Sequence, residues 1–328
     1  MNTLIKKTDK NSILQAAEIL KGGGLVAFPT ETVYGLGGIA TQPSAIEKIY
    51  AVKGRPSDNP LILHISDISM LSDLSEQLPR YTQHLIRAFW PGPLTLVVKK
   101  QSNLNFARDF DTIGVRMPKN EIALSLISGC GEAIAAPSAN TSGRPSPTCA
   151  GHVAEDLGGK IEMILDGGFC EIGLESTVLD ISGEIPVLLR PGAITPDMLK
   201  PIIGEFEIAT EASTSAIPKS PGMKYMHYAP KAQMTLVLGD VSAVRQYIQK
   251  LADDHTAILT TSPHPYKGYT IHLGKDEGEV AANLFLALRK CDQLGFTKIL
   301  AEGCIEEGLG LAIMNRMKKA ASYNIVKL

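Results

Sequence analysis

Lys53-Gly54-Arg55-Pro56-Ser57-Asp58-Asn59-Pro60-Leu61-Ile62-Leu63-His64 reads as a helix-to-strand junction, and it sets the chain down as α/β. Upstream, Ile46, Ile49 and Tyr50 lie on one face of a helix that runs into Lys53. Gly54 suits the left-handed position that ends a helix, and Pro56 and Pro60 fix the backbone on either side of Asp58-Asn59. Leu61, Leu63 and Ile65 then alternate as a strand, leaving Ile62 and His64 on its other face. A rigid turn offering Lys, Arg and Asn suits an anion with many oxygens. The same residues also describe a solvated helix end followed by a turn, and the stretch alone does not choose between the two.

Before the junction, Asn11 or Ser12 can cap a helix with Ile13, Ala17 and Leu20 on its apolar face, ended by Gly22. An apolar strand follows at 25–28. Residues 30–38 then read as a polar, glycine-rich loop directly after a strand, where α/β proteins place their sites. After the junction, a helix at 79–89 is stopped by Trp90-Pro91-Gly92-Pro93. Strands are predicted at 94–98, 113–117, 133–136, 161–165, 176–181 and 186–189. They outnumber the helices between them, so a twisted mixed sheet is expected. From about Gly204 the patterning fails, and the segment is too long for an ordinary connection. A second domain opens with a strand at 235–238. Its alternation of strands and helices predicts a small Rossmann-like sandwich. The division is 1–204, a linker or functional loop at 205–234 suited to an active-site lid, and 235–328.

The 328 residues are 44% hydrophobic and 20% charged, ordinary for a globular protein. A formal net charge of −2 supplies no global field for nucleic acid. The first residues lack the apolar core of a signal peptide, and no apolar run approaches the roughly 20 residues that span a bilayer. Five cysteines (Cys130, Cys149, Cys170, Cys291 and Cys304) without C-x-x-C pairing suggest neither a disulfide framework nor a zinc site. A soluble cytoplasmic protein is expected.

No G-x-x-x-x-G-K-[ST] occurs. Gly22-Gly23-Gly24 precedes a strand, and Gly308-Leu309-Gly310 lacks the third glycine of a dinucleotide fingerprint. Phosphate binding would therefore use side chains. Lys53, Arg55, Arg116, Arg144 and Arg190 stand at or just beyond predicted strand ends, mostly beside Pro or Gly. Lys53 and Arg55 keep company with Asn59, and Arg144 follows Ser138-Ala139-Asn140-Thr141-Ser142. Hydroxyls and amides among cations suit a triphosphate and a ribose better than a DNA backbone, which calls for a longer basic face. His64, Tyr34 and Thr32 are ambiguous alone, and Glu31 and Glu175 serve equally as turn acceptors. No covalent nucleophile stands out. Cations, hydroxyls and amides without one point to positioning and charge stabilisation, the means of phosphoryl and nucleotidyl transfer.

Taken together, several ordered motifs resemble the YrdC/Sua5 family of threonylcarbamoyl-AMP synthases. They are Pro29-Thr30-Glu31-Thr32-Val33-Tyr34-Gly35-Leu36, Lys53-Gly54-Arg55-Pro56 through His64, Trp90-Pro91-Gly92-Pro93-Leu94-Thr95, Val115-Arg116-Met117-Pro118 and Pro137-Ser138-Ala139-Asn140. The likeness runs to Arg190-Pro191-Gly192 and on through the 220–230 segment, marking the long, two-domain Sua5 form. The resemblance implies a YrdC-like domain with a concave site and a C-terminal Sua5 domain. It also implies a reaction: L-threonine, bicarbonate and ATP, with Mg2+, give threonylcarbamoyl-AMP and pyrophosphate. The product would serve the modification of adenosine 37 in tRNA through a threonylcarbamoyl transferase complex, with a tRNA contact as a further implied partner.

By the same matching, Lys53, Arg55, Ser138 and Asn140 form the catalytic set. ATP falls to Arg55, Asn59, Thr112, Ser138, Ser146, Arg190 and Tyr228, with His227 as the other linker candidate. Threonine falls to Thr32, His64, Arg116 and Ser176, with Ala136 contributing backbone. No residue is assigned to the metal, which ATP would carry. One departure is Met226, where the family's linker motif usually has Arg; Lys224 or Lys231 would have to compensate. Two alternatives compete: a non-catalytic binder of double-stranded RNA or tRNA, and a carbamoyl-transfer enzyme akin to hydrogenase maturation factors. The latter carry zinc-binding cysteine pairs and extra domains that this sequence lacks.

Overall fold

The computed structural model describes residues 2–102, 104, 110–209, 227–263 and 265–328. The chain divides into two compact units. The first takes in Met1–Ser142, Pro147–Glu171 and Glu175–Lys224, and the second Gly143–Ser146, Ile172–Leu174 and Tyr225–Leu328. Most of the expected 205–234 linker, with Lys224 and Met226, lies outside the described residues.

The first unit is built on strands β1 (Leu4–Lys7), β2 (Val26–Phe28), β3 (Gly35–Ile39), β4 (Ile62–His64), β5 (Leu94–Lys99), β6 (Thr112–Arg116), β7 (Ile134–Ala135), β8 (Met163–Asp166), β9 (Thr177–Asp180), β10 (Val187–Arg190) and β11 (Glu207–Ile208). They form one 11-stranded sheet in the order β1-β8-β2-β3-β7-β4-β6-β5-β9-β10-β11. Parallel pairs such as β4–β6 and β5–β9 alternate with antiparallel ones such as β5–β6 and β3–β7, the mixed sheet the sequence predicts. Helices α1 (Lys10–Lys21), α2 (Pro43–Lys53), α3 (Ser69–Leu74), α4 (Thr82–Phe89), α5 (Glu121–Cys130), α6 (Ala150–Leu157) and α7 (Pro196–Ile203) complete it.

Both sheet faces carry core. Leu63, Ile65, Leu94, Leu96, Val115 and Leu179 belong to one cluster. Phe28, Ile134, Met163 and Leu165 belong to another, together with residues of α1 and α5. The alternation expected of the opening stretch holds: Leu63 and Ile65 join the first cluster, while His64 meets Phe28 edge to face, ring centroids 6.2 Å apart. Helix α1 is capped by Asp9, whose side chain accepts from Ser12 N–H, rather than by Asn11 or Ser12. The acidic oxygen one turn earlier is free to accept because Asp9 is extended, with φ −145°.

The glycine-rich segment corrects the sequence reading. Residues 35–39 are not loop but β3, antiparallel to β2 and β7. Glycine usually weakens a strand, but here the missing side chains make room for neighbours. A Cβ on Gly37 would lie 2.9 Å from both the Phe28 ring and Ile134, and one on Gly35 would lie 3.3 Å from Phe28. The Phe28 ring thus lies across the bare backbone of β3 and reaches His64, although β3 and β7 separate β2 from β4 in the sheet.

In the second unit, β12 (Gln233–Leu238), β13 (Thr256–Thr260), β14 (Tyr269–His272), β15 (Lys298–Glu302) and β16 (Ile325–Lys327) form a sheet ordered β14-β13-β15-β12-β16. Every pairing is parallel, with helices α8 (Val241–Leu251), α9 (Glu277–Gln293) and α10 (Gly310–Ala320) between strands. This is the Rossmann-like alternation expected, extended by β16, which the sequence reading did not include. No helix among the described residues is long and apolar enough to cross a membrane.

Candidate active site

The turn after α2 holds its shape through a Schellman pair. Gly54 adopts φ 60° and donates to Ala51 O at 3.2 Å, while Arg55 N–H donates to Tyr50 O at 3.0 Å. Lys53, on the last turn of the helix, is 1% exposed. Its ammonium turns inward, donating to the carbonyl oxygens of Ser138 and Asn140. Ser138 Oγ donates to Asn140 Oδ1 at 2.6 Å, and Ser142 N–H returns a bond to Lys53 O at 2.9 Å. The four residues expected to form the catalytic set therefore fall into two groups. Lys53, Ser138 and Asn140 are knit together, while Arg55 donates to Asn59 Oδ1 at 2.6 Å and to Pro60 O at 2.9 Å. Burial pushes the Lys53 ammonium well below the ordinary lysine range, the Arg55 guanidinium adds to this, and Asp156 opposes it.

The second gathering lies on the face of the sheet opposite Leu63, Leu94 and Val115. Side chains alternate along strands, and the registers His64↔Arg116, Thr95↔Val178 and Arg190↔Val178 set His64, Arg116, Thr95, Ser176 and Arg190 on that one face. Thr112 shares it, four residues from Arg116 along β6 and so about 13 Å away. Arg190 Nη2 donates to Ser176 Oγ at 3.1 Å and its Nε to Ser176 O at 3.0 Å. Ser176 Oγ lies 2.8 Å from Thr95 Oγ1. Ala136 is fixed beside them by its N–H to Ile62 O at 2.9 Å.

Above this face stands the 29–34 segment. Arg116 Nη1 donates to Thr32 Oγ1 at 2.9 Å, yet β6 is three strands from β3, about 14 Å at ordinary strand spacing. The segment must therefore arch back over β7 and β4. Thr30 organises the arch, its hydroxyl donating to Val33 O at 2.6 Å and accepting from the N–H groups of Thr32 and Val33. Tyr34 serves packing, its hydroxyl donating to Gly168 O at 2.8 Å. Glu31, read from sequence as an equally good turn acceptor, is instead 2.7 Å from Arg116 Nη2, with both side chains buried. Arg116 Nε completes the set by donating to Gly92 O at 3.2 Å, next to the cis Trp90–Pro91 bond.

His64 Nδ1 lies 3.2 Å from Ile62 O. A carbonyl only accepts, so Nδ1 carries the proton and donates. Burial and then the Arg116 charge push the ring down to about 3, leaving it neutral at physiological pH.

Two expected ATP residues, Ser146 and Tyr228, belong to the second unit. Tyr228, at φ 66°, is 4% exposed, with its ring 5.2 Å from Phe285 and the Arg316 guanidinium 5.7 Å from its centre. Arg144 stands in the same unit, 3.9 Å from Asp292. Sequence reasoning missed Thr95 and the role of Glu31 as partner of Arg116. Both stand inside quoted motifs, but nothing local tells contacts spanning 81 and 85 positions. Among the described residues no group of three His, Cys, Asp or Glu is placed to hold a metal ion.

A family model described as Telomere recombination, spanning Sua5, YciO and YrdC proteins, matches residues 18–192. A second, described as the threonylcarbamoyl-AMP synthase C-terminal domain, matches residues 194–322.

The chain belongs to the Sua5/YrdC family, in its two-domain Sua5 form.

It is 47% identical over 322 residues to the threonylcarbamoyl-AMP synthase of Pyrococcus abyssi, covering 95% of each chain. To the protein of the same name from Bacillus subtilis it is 45% identical over 332 residues, covering 98% of this chain and 96% of that one. The crystal structure of P. abyssi Sua5 complexed with L-threonine superposes with a TM-score of 0.92 at 45% identity, covering 100% of this chain and 99% of that one.

Proposed function

We propose that this Sua5-family chain is a nucleotidyltransferase, an L-threonylcarbamoyladenylate synthase. It joins L-threonine, bicarbonate and ATP into threonylcarbamoyl-AMP and pyrophosphate, for the modification of adenosine 37 in tRNA. What carries the reading is a full-length likeness to proteins named threonylcarbamoyl-AMP synthase, joined to a sheet face on which Thr32, His64, Arg116 and Ser176 converge.

The residues account for the steps. Arg116 grips threonine's carboxylate, and the Thr32 and Ser176 hydroxyls and the neutral His64 ring orient the rest of the amino acid. The uncharged amine adds to bicarbonate with loss of water, or to CO2 with loss of a proton to solvent, and the carbamate oxygen displaces pyrophosphate at the α-phosphorus. Negative charge on the phosphates is met by Lys53, Arg55 and Arg190, with Asn59, Ser138, Asn140 and Thr112 as the further ATP contacts of the first unit. Lys53 gains most from such a ligand, because an adjacent polyanion restores the charge that burial opposes. Mg2+ would enter on the phosphate oxygens of ATP and supply charge neutralisation there. Partners on this reading are the cytoplasmic threonylcarbamoyl transferase complex that takes the product, and tRNA. The test is pyrophosphate release from ATP, with threonine and bicarbonate omitted in turn. Release that ignores threonine refutes the reading, and salt-sensitive RNA binding without ATP consumption would favour the binding module instead.

A further inference from the structure

We infer that Glu31 is the receptor for the α-ammonium group of the amino-acid substrate, and so the residue that restricts the site to free α-amino acids. The inference rests on the synthase reading and deepens it.

Glu31 is 5% exposed and Arg116 is 4% exposed. Their charges approach to 2.7 Å, yet neither Glu31 oxygen accepts an aligned hydrogen bond, and Arg116 Nη2 donates none. Buried charges are normally both paired and hydrogen-bonded, and one left short is costly. The shortfall falls on both sides of the same pair, on the arch directly over the sheet face that carries His64 and Ser176. Arg116 has spent Nε on Gly92 O and one Nη1 hydrogen on Thr32. That leaves one Nη1 hydrogen and the two Nη2 hydrogens without an aligned acceptor, and a carboxylate can take two of these three.

An α-amino acid is a zwitterion whose two charges are separated by one carbon. A guanidinium beside a carboxylate is the complement of that arrangement. Substrate carboxylate on Arg116 and substrate ammonium on Glu31 close a ring of four alternating charges with no net charge buried. A hydroxy acid of the same shape would leave Glu31 facing a group that cannot match its charge, and an N-acylated amino acid would do the same. The Thr30 hydroxyl is taken by Val33 O, Thr32 and the turn N–H groups. The nearby Cys170 thiol, pushed up to about 12 by burial, stays neutral and offers no negative charge either. Glu31 is therefore the group on the arch with charge to offer an ammonium.

The test compares L-threonine with 2,3-dihydroxybutanoate, which keeps the carboxylate and the β-hydroxyl and lacks the ammonium. Binding of each to the full chain is measured by calorimetry, before and after Glu31→Gln and Glu31→Asp, with ATP affinity and Tm alongside. The unsubstituted protein should prefer threonine by about 10- to 100-fold, the range of a charge-assisted hydrogen bond. Glu31→Gln should collapse that ratio to within a few-fold while ATP affinity stays unchanged, and Glu31→Asp should retain part of it. A structural role alone would weaken both ligands equally and leave the ratio intact. An unchanged ratio in Glu31→Gln, or no preference for threonine in the unsubstituted protein, overturns the assignment while leaving the synthase reading standing. If Glu31→Gln fails to fold, the Glu31→Asp ratio decides: a reduced preference supports the assignment and a full one overturns it. No threonine binding by the unsubstituted protein overturns the synthase reading and this assignment with it.

Discussion

Replacing His64 by Gln should flatten the acid side of the stability curve of the first unit. The His64 ring titrates near 3 in the native protein against an ordinary value of 6.5. Between those values the unfolded chain binds a proton that the native one refuses, so stability rises with pH across that window. The native state thus keeps its full stability above about 6.5 and loses it as the pH falls towards 3. At pH 5.0 the native ring is still neutral, and the loss is set by the unfolded ring alone: 1.5 units below its pKa, about 2 kcal/mol at 1.36 kcal/mol per unit. Trp90 makes the measurement clean. It is the only tryptophan in the sequence, is 7% exposed, and donates its indole N–H to Leu94 O at 2.7 Å within the first core. Its fluorescence reports unfolding of that unit. Urea melts at pH 7.5 and 5.0 should show the original protein losing about 2 kcal/mol more than His64→Gln over this interval. Equal losses would refute the argument that His64 is held neutral by burial and Arg116.

Gly37→Ala should destabilise the first unit by about 1–3 kcal/mol in the same melts, because the added methyl meets Phe28 and Ile134 at 2.9 Å; a change within error would mean β3 has slack that the contacts deny. Gly54→Ala meets no atom within 4 Å and should cost only about 1 kcal/mol of left-handed strain, with substrate affinities unchanged. Gly192→Ala would drive a methyl to 2.3 Å from Thr177 N, displacing the backbone beside Ser176 and Arg190. Steady-state kinetics should show activity falling at least tenfold, with a loss of about 1–3 kcal/mol in the urea melts. Arg116→Lys keeps a charge but loses the planar fork, so threonine KM should rise by about tenfold or more with ATP KM little moved. Arg55→Ala should do the reverse, and identical defects in both would refute the division of the two substrates.

The sequence carried most of the framework where local physics dominates. The Gly54 stop, the alternation through His64 and the succession of strands and helices in the second unit are each written in neighbours within a few positions. Strand β1 escaped notice because Leu4–Lys7 is exposed at all four residues and shows no buried face. Strand β3 escaped because its glycines imitate a loop, and what explains them is side chains from other elements, Phe28, Ile134 and Ile49 among them. In the site, the residue types were legible and the partners were not. Lys53 could be recognised as a cation at a helix end, but its turn inward to Ser138 and Asn140 depends on contacts 85 and 87 positions away. Glu31 looked like a turn acceptor because its cation, Arg116, lies as far off in sequence.

The bare backbone of β3 has a thermodynamic corollary. With Phe28 seated across it and Thr30 tying the arch to itself, the ordering of the threonine-facing surface belongs to folding rather than to capture of the ligand. An amino acid arriving there meets β3 and the 29–34 arch already in place, so neither of these need be ordered on its account. The association rate for threonine should accordingly be governed by diffusion and charge, with a shallow temperature dependence, and the heat-capacity change on binding should match the small apolar area of one methyl-bearing side chain.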